Sequence, residues 1–131
     1  MPPAPTGAAD GYAIAGTALS FRGTPYRNGG SDPNGFDCSG LVWYVFGAHG
    51  IAVPRTVDRQ FEVGADVRPD ALEAGDLVFF STTAPGASHV GVSLGGDEFV
   101  HAPSERGEVR VERLGSSYWS SRFVGARRVA R

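Results

Sequence analysis

A single cysteine, Cys38, stands in GFDCSGLVWYVFG (35–47), where a polar loop gives way to a strongly apolar run. A thiol in that place has two readings. As a small buried hydrophobe it would only pack. As a nucleophile it would exploit the first turn of a helix, where unpaired N–H groups and the helix dipole favour an anion. Such a position can bring a thiol from a pKa of about 8.5 into the range ~3.5–7.5. The polar neighbours Asp37 and Ser39, with side-chain-free flanks at Gly35 and Gly40, argue for the second reading.

A thiol nucleophile needs a base and a group that aims the base. The chain offers three histidines, His49, His89 and His101. His49 lies at the far end of the Cys38 helix, roughly 16 Å away at 1.5 Å per residue. It suits the helix C-terminus, not the thiol. His89 opens HVGVSL and His101 lies near the end of EFVHA, with GGD between them. If Gly95–Asp97 is a three-residue hairpin loop, Leu94 opposes Glu98 and Gly91 opposes His101. His89, Gly91, Ser93, Phe99 and His101 then share one face, and the two histidines become diagonal neighbours about 7–8 Å apart at the backbone. A two-residue turn would send them to opposite faces. Loops of three residues with a left-handed glycine are common, which favours the productive register. Cys38, His89 and His101 could alternatively supply three ligands to a catalytic zinc.

These residues need elements to hold them. Asp10 can cap a helix running to about Phe21, with Tyr12, Ile14, Ala15, Ala18, Leu19 and Phe21 in apolar contact. The turn-rich stretch RGTPYRNGGSDPNGFD should carry no regular element. Cys38 to His49 should form a central helix buried nearly all round. A short helix near Thr56 to Phe61, with Thr56 as cap, follows. The remainder reads as strands: LVFF, HVGVSL, EFVHA, VRVERL and FVGARRV, rich in β-branched and aromatic residues between turn formers. Helices first and strands second predict an α+β domain with an antiparallel sheet of about five strands. Residues 1–9 should be a flexible tail and 10–131 one domain.

Composition narrows the functions. The 131 residues suit one domain, and a net charge of −2 at 20% charged residues gives no bulk attraction to nucleic acid or anionic membrane. One cysteine excludes an intramolecular disulfide. No run approaches the ~18–20 apolar residues of a membrane span. The start, MPPAPTGAAD, lacks the basic and apolar regions of a secretory signal, so an exported form would be a processed chain.

Taken in order, FDCSG, SHVGV and FVHAPS resemble the three signature motifs of the NlpC/P60 cysteine peptidases, and similarity extends from GTPYRNGG through VPRTVDRQ and LEAGDLVFF to SYWSSRFVGARRV. The resemblance implies a papain-like fold in which Cys38 is the nucleophile, His89 the base and His101 the orienting third residue. It implies that the Tyr26 hydroxyl lies near the oxyanion, and that Asp37 and Ser39 help hold the peptide end of the substrate. By its position alone Asp37 could equally be a helix cap. The implied substrates are stem peptides of bacterial peptidoglycan, cut commonly between D-glutamate and a diamino acid, in the cell envelope, by a monomer without cofactor or metal. A wall-binding module without hydrolysis, or an amidase or acyltransferase, would use the same scaffold. Asn28, Val53, Val57 and Ser93 depart from common family residues, which bears on substrate preference only.

Overall fold

The protein is described by a computed structural model over residues 10–104 and 107–130. The expected tail, residues 1–9, lies outside the described residues. The first helix, α1 (Gly11–Ser20), starts where Asp10 accepts the N–H groups of Tyr12 and Ala13 at 3.0 and 3.2 Å. Two donors that the helix cannot satisfy are thereby paired. Ile14, Ala15 and Ala18 are buried, whereas Tyr12 is 82% exposed. The expectation that Tyr12 packs fails because it stands two positions before Ile14, on the outer face of the helix.

The polar stretch after α1 is more regular than expected. It holds a small antiparallel ribbon of β1 (Ser31–Asp32) and β2 (Gly35–Phe36). Asp32 Oδ1 accepts the Asn34 N–H at 2.8 Å and closes the turn between them. The central helix, α2 (Cys38–Ala48), buries Leu41, Val42, Val45 and Phe46 completely. It is not buried all round: Trp43 is 43% exposed, so the apolar run includes an outward stripe. His49 caps its C-terminus, and its Nε2 lies 2.7 Å from the Thr17 hydroxyl, tying α2 to α1. In α3 (Val57–Gln60) Thr56 occupies the cap position, but its side chain makes no capping bond.

Six strands form the main sheet, one more than expected: β3 (Ala65–Val67), β4 (Leu77–Phe80), β5 (His89–Ser93), β6 (Glu98–His101), β7 (Arg110–Arg113) and β8 (Phe123–Arg128). Their order is β3-β8-β4-β5-β6-β7, with every neighbouring pair antiparallel. The unforeseen strand, Ala-Asp-Val, buries only Val67 and so left no apolar alternation to read. Between β7 and β8, Ser117–Ser120 forms a one-turn helix, α4. Arg128 of β8 donates through Nε and Nη2 to the buried Asp76, both at 2.8 Å.

The β5–β6 hairpin takes the three-residue loop. Val92 pairs with Val100 and Ser93 with Phe99, and the Leu94 N–H reaches the Glu98 carbonyl at 2.9 Å. Gly95 (φ +89°) and Gly96 (φ +60°) supply the left-handed turn. Alternation then divides the sheet. Val90, Val92, Val100 and Ala102 face the core shared with Ile14, Leu41, Val45 and Phe46. Phe99, with Val78, Phe80, Ala126 and Trp119 of α4, forms a second apolar layer behind the sheet.

Gly91 is the point of closest approach in that hairpin. A Cβ there would lie 2.8 Å from the Phe99 ring and 3.2 Å from the His101 Cβ. Gly91→Val should therefore destabilise the fold by about 1–3 kcal/mol through overpacking. Gly16→Ala, on the exposed face of α1 with nothing within 4 Å of the added methyl group, should stabilise by about 0.5–1 kcal/mol. Urea unfolding of the two variants checks both the signs and the register.

Candidate active site

The start of α2 is fixed by a dense polar cluster. Asp37 Oδ1 accepts the Gly40 N–H at 2.6 Å, and Oδ2 pairs with Arg55 Nη2 at 3.0 Å. Arg55 also donates to the Ser39 hydroxyl at 2.8 Å and to the Gly30 carbonyl at 3.3 Å. The fully buried Gln60 donates to the carbonyls of Ser39 and Pro54. Loop, helix start and α3 are thus bound into one unit beneath Cys38. The two flanking glycines serve this packing. A side chain at Gly40 would collide with the Gly30 carbonyl, and one at Gly35 with Arg27.

Across from this unit the hairpin opens. The β5–β6 ladder registers Val92 with Val100 and Ser93 with Phe99, and no further toward His89. Where the strands separate, the Val90 backbone N–H, next in the chain to His89, acts on the Cys38 thiol and lowers its pKa. His89 Nε2 lies 2.7 Å from His101 Nδ1. The rings stand nearly perpendicular, at 85°, with centroids 5.0 Å apart. The diagonal placement expected of the hairpin therefore becomes a direct contact through the space Gly91 leaves. No other hydrogen-bond partner of the His89 ring occurs among the described residues, so its Nδ1 is unengaged.

Trp119 completes the enclosure. It stacks on His89 at 24° with centroids 5.5 Å apart, and meets His101 edge-on at 4.9 Å. The Phe80 ring lies 6.2 Å from His89 and the Phe99 ring 4.8 Å from His101, while His89 also borders a pocket lined by Thr82, Thr83, Pro103 and Ser104. Sequence reasoning placed Trp119 at a core edge, because SYWSS carries no pattern that brings it to the histidines. Arg55 follows Pro54 in a loop that the sequence leaves unassigned, and only its folded position brings it to Asp37 and Ser39.

Burial dominates the electrostatics. It pushes the Cys38 thiol up to about 11; the Val90 N–H and the N–H groups of Ser39 and Cys38 itself pull downward, and the Asp37 charge pushes further up. The helix start does act on the sulfur, as expected, but desolvation acts against it and is the larger influence. Burial likewise lowers His89 to about 4. His101 falls to about 2 through burial, then the neighbouring His89, then Arg110. The resting pair is thus neutral thiol and neutral imidazole, in place of the thiolate–imidazolium pair expected from position. Tyr26 is raised above its ordinary value by burial, then by Cys38 and Asp37, with Arg55 opposing, so its phenol is a proton donor beside the sulfur.

His89 and His101 are thereby in direct contact, Cys38 and Asp37 act electrostatically on Tyr26, and Ser39 sits beside Asp37. Among the described residues no group of three or more His, Cys, Asp or Glu is arranged to hold a metal.

Comparison with known proteins places the fold and the family. The NlpC/P60 family model matches residues 23–128. A Gamma-DL-glutamyl hydrolase of Bacillus subtilis is 45% identical over 85% of this chain and 27% of its own length. Murein DD-endopeptidase MepH of Escherichia coli is 44% identical over 82% of this chain and 41% of its own. The chain therefore spans less than half of either relative. Among solved structures, an NlpC/P60 family protein of Bacillus cereus superposes with a TM-score of 0.87 at 30% identity, covering 98% of this chain and 42% of that one. The peptidoglycan hydrolase RipB of Mycobacterium tuberculosis superposes with a TM-score of 0.80 at 28% identity, covering 99% and 74%. The α+β fold with its antiparallel sheet is that of these proteins, and the chain belongs to the NlpC/P60 family.

Proposed function

We propose that this chain is a cysteine peptidase that hydrolyses peptide bonds in the stem peptides of bacterial peptidoglycan, with residues 10–131 as the catalytic domain. The observation that carries the reading is the 2.7 Å contact between His89 and His101, on the hairpin against which the Cys38 helix packs. The relatives named as a murein endopeptidase and a glutamyl hydrolase support the substrate class.

In this mechanism the neutral thiol gives its proton to His89 Nδ1 as Sγ attacks the scissile carbonyl carbon. The developing oxyanion is met by the Cys38 backbone N–H and the Tyr26 hydroxyl. His89 then passes the proton to the leaving amine as the C–N bond breaks, leaving a thioester on Cys38. Water attacks the thioester, its proton going to His89 and then back to the departing sulfur. The deacylated enzyme is again neutral. His101 holds the base ring through Nε2 of His89. Asp37 and Ser39, locked to Arg55, form the polar wall that receives the peptide end of the substrate, in the bond between D-glutamate and a diamino acid. The enzyme acts as a monomer in the cell envelope and needs no cofactor. No helix of the described residues is long and apolar enough to cross a membrane.

Digestion of purified peptidoglycan, followed by mass spectrometry of the released fragments, tests the activity. Cys38→Ala should release nothing above background, and Tyr26→Phe should be slower by roughly 10²–10³-fold if one oxyanion donor is lost. Release by Cys38→Ala equal to wild type would exclude the thiol mechanism.

The neutral pair makes a separate prediction about pH. Protonation disables His89 as a base, so kcat/KM should hold through weakly acidic pH and fall only as pH drops through about 4. Alkylation of Cys38 by iodoacetamide should keep accelerating above pH 9, because the thiol is pushed up to about 11. A rate plateau near neutrality would instead reveal a resting thiolate.

A further inference from the structure

The proton chain of the site needs a direction, and the mechanism so far leaves it unspecified. Between His89 Nε2 and His101 Nδ1 there is room for one hydrogen, and either ring could carry it. Only one choice is productive. If His89 carries its proton on Nε2, its Nδ1 presents a lone pair to the thiol. If His101 donates from Nδ1, then neutral His89 must carry its proton on Nδ1, and it cannot act as a base.

The second nitrogen of His101 decides between them. Its Nε2 is fully enclosed and has no hydrogen-bond partner among the described residues. One carboxylate faces it: Glu112 Oε2, on the neighbouring strand β7, at 3.5 Å. The strand register accounts for the placement. His101 pairs with Arg110 and Phe99 with Glu112, so Glu112 sits diagonally from His101 on the same face. Arg110 Nε stands 3.3 Å from the same Oε2, an ion pair by charge and distance without a formed hydrogen bond. The other groups around the His101 ring are His89, Phe99 and Trp119, of which only His89 can exchange a proton.

We infer that Glu112, steadied by Arg110, is a positioning residue that sets the tautomer of both histidines and so leaves a lone pair on His89 facing Cys38. An ionised carboxylate only accepts hydrogen bonds, so it selects the form of His101 protonated on Nε2. That choice makes His101 Nδ1 an acceptor, which draws the His89 proton to Nε2. The distance of 3.5 Å makes this an electrostatic preference in the resting protein, not a formed hydrogen bond. The side chain of Glu112 is 24% exposed, so the carboxylate keeps part of its hydration while acting on a buried ring. Neither residue touches substrate in this account, and the inference rests on the peptidase reading for its catalytic consequence.

Nitrogen-15 NMR of the imidazoles tests the inference directly and without substrate. In the wild-type protein at neutral pH both rings should carry hydrogen on Nε2 and none on Nδ1. Glu112→Ala should mix the tautomers and lower kcat by about 10–100-fold with KM unchanged, the size typical when a partner that orients a functional histidine is removed. Glu112→Gln, whose amide oxygen still accepts, should recover most of both. A proton on His101 Nδ1 in the wild type would overturn the assignment, as would a Glu112→Ala protein with unaltered imidazole signals. Because the NMR pattern does not depend on turnover, a protein inactive on peptidoglycan would sink the peptidase reading while leaving this assignment to stand or fall on its own signals.

Discussion

The contact between two buried imidazoles is the constraint around which this site is organised. It requires two strands in one register, a glycine where a side chain would part them, and a hydrophobic enclosure that keeps water from substituting for either ring. The three-residue turn at Gly95–Asp97 meets the first demand and Gly91 the second. Trp119, Phe80 and Phe99 meet the third. Without water to compete, a neutral hydrogen bond between the rings counts for more than it would at a surface, and an unpaired ring nitrogen costs more.

The same dryness reverses the usual account of a cysteine at a helix start. Peptide N–H groups do reach the Cys38 sulfur, from its own helix turn and from Val90, yet burial and the neighbouring Asp37 charge outweigh them. Asp37 is kept because it does a different job, capping α2 and pairing with Arg55. The fold thus places a negative charge near the nucleophile in exchange for a fixed helix start. The consequence is a site whose proton moves when the reaction begins and not before. A neutral thiol is also less exposed to oxidation and adventitious alkylation than a standing thiolate.

Much of this was legible in the residues. The hairpin register followed from the spacing of His89, GGD and His101, since one shift would have reversed the faces. The Asp10 cap followed from its place before an apolar run, and the Asp37 cap was one of two readings its position allowed. What stayed hidden depended on contacts between distant segments. Trp119 comes from a one-turn helix too short to have periodicity, and β3 from three residues of which one is buried. Arg55 and Gln60 lie in a segment whose polar side chains read as solvent-facing, and only its docking beneath α2 turns them inward. The pKa error had the same origin: position along the chain reveals a helix terminus, whereas the depth of burial is a property of the assembled fold.

The central claim is that the Cys38 sulfur attacks substrate and carries the acyl group. Acid-quenched incubation with a synthetic stem peptide, followed by peptide mapping in the mass spectrometer, reads this most directly. The account predicts the acyl fragment attached as a thioester to the peptide containing Cys38, and its absence in His89→Ala. Continued hydrolysis of the stem peptide by Cys38→Ala, with no adduct on the wild-type thiol, would contradict it.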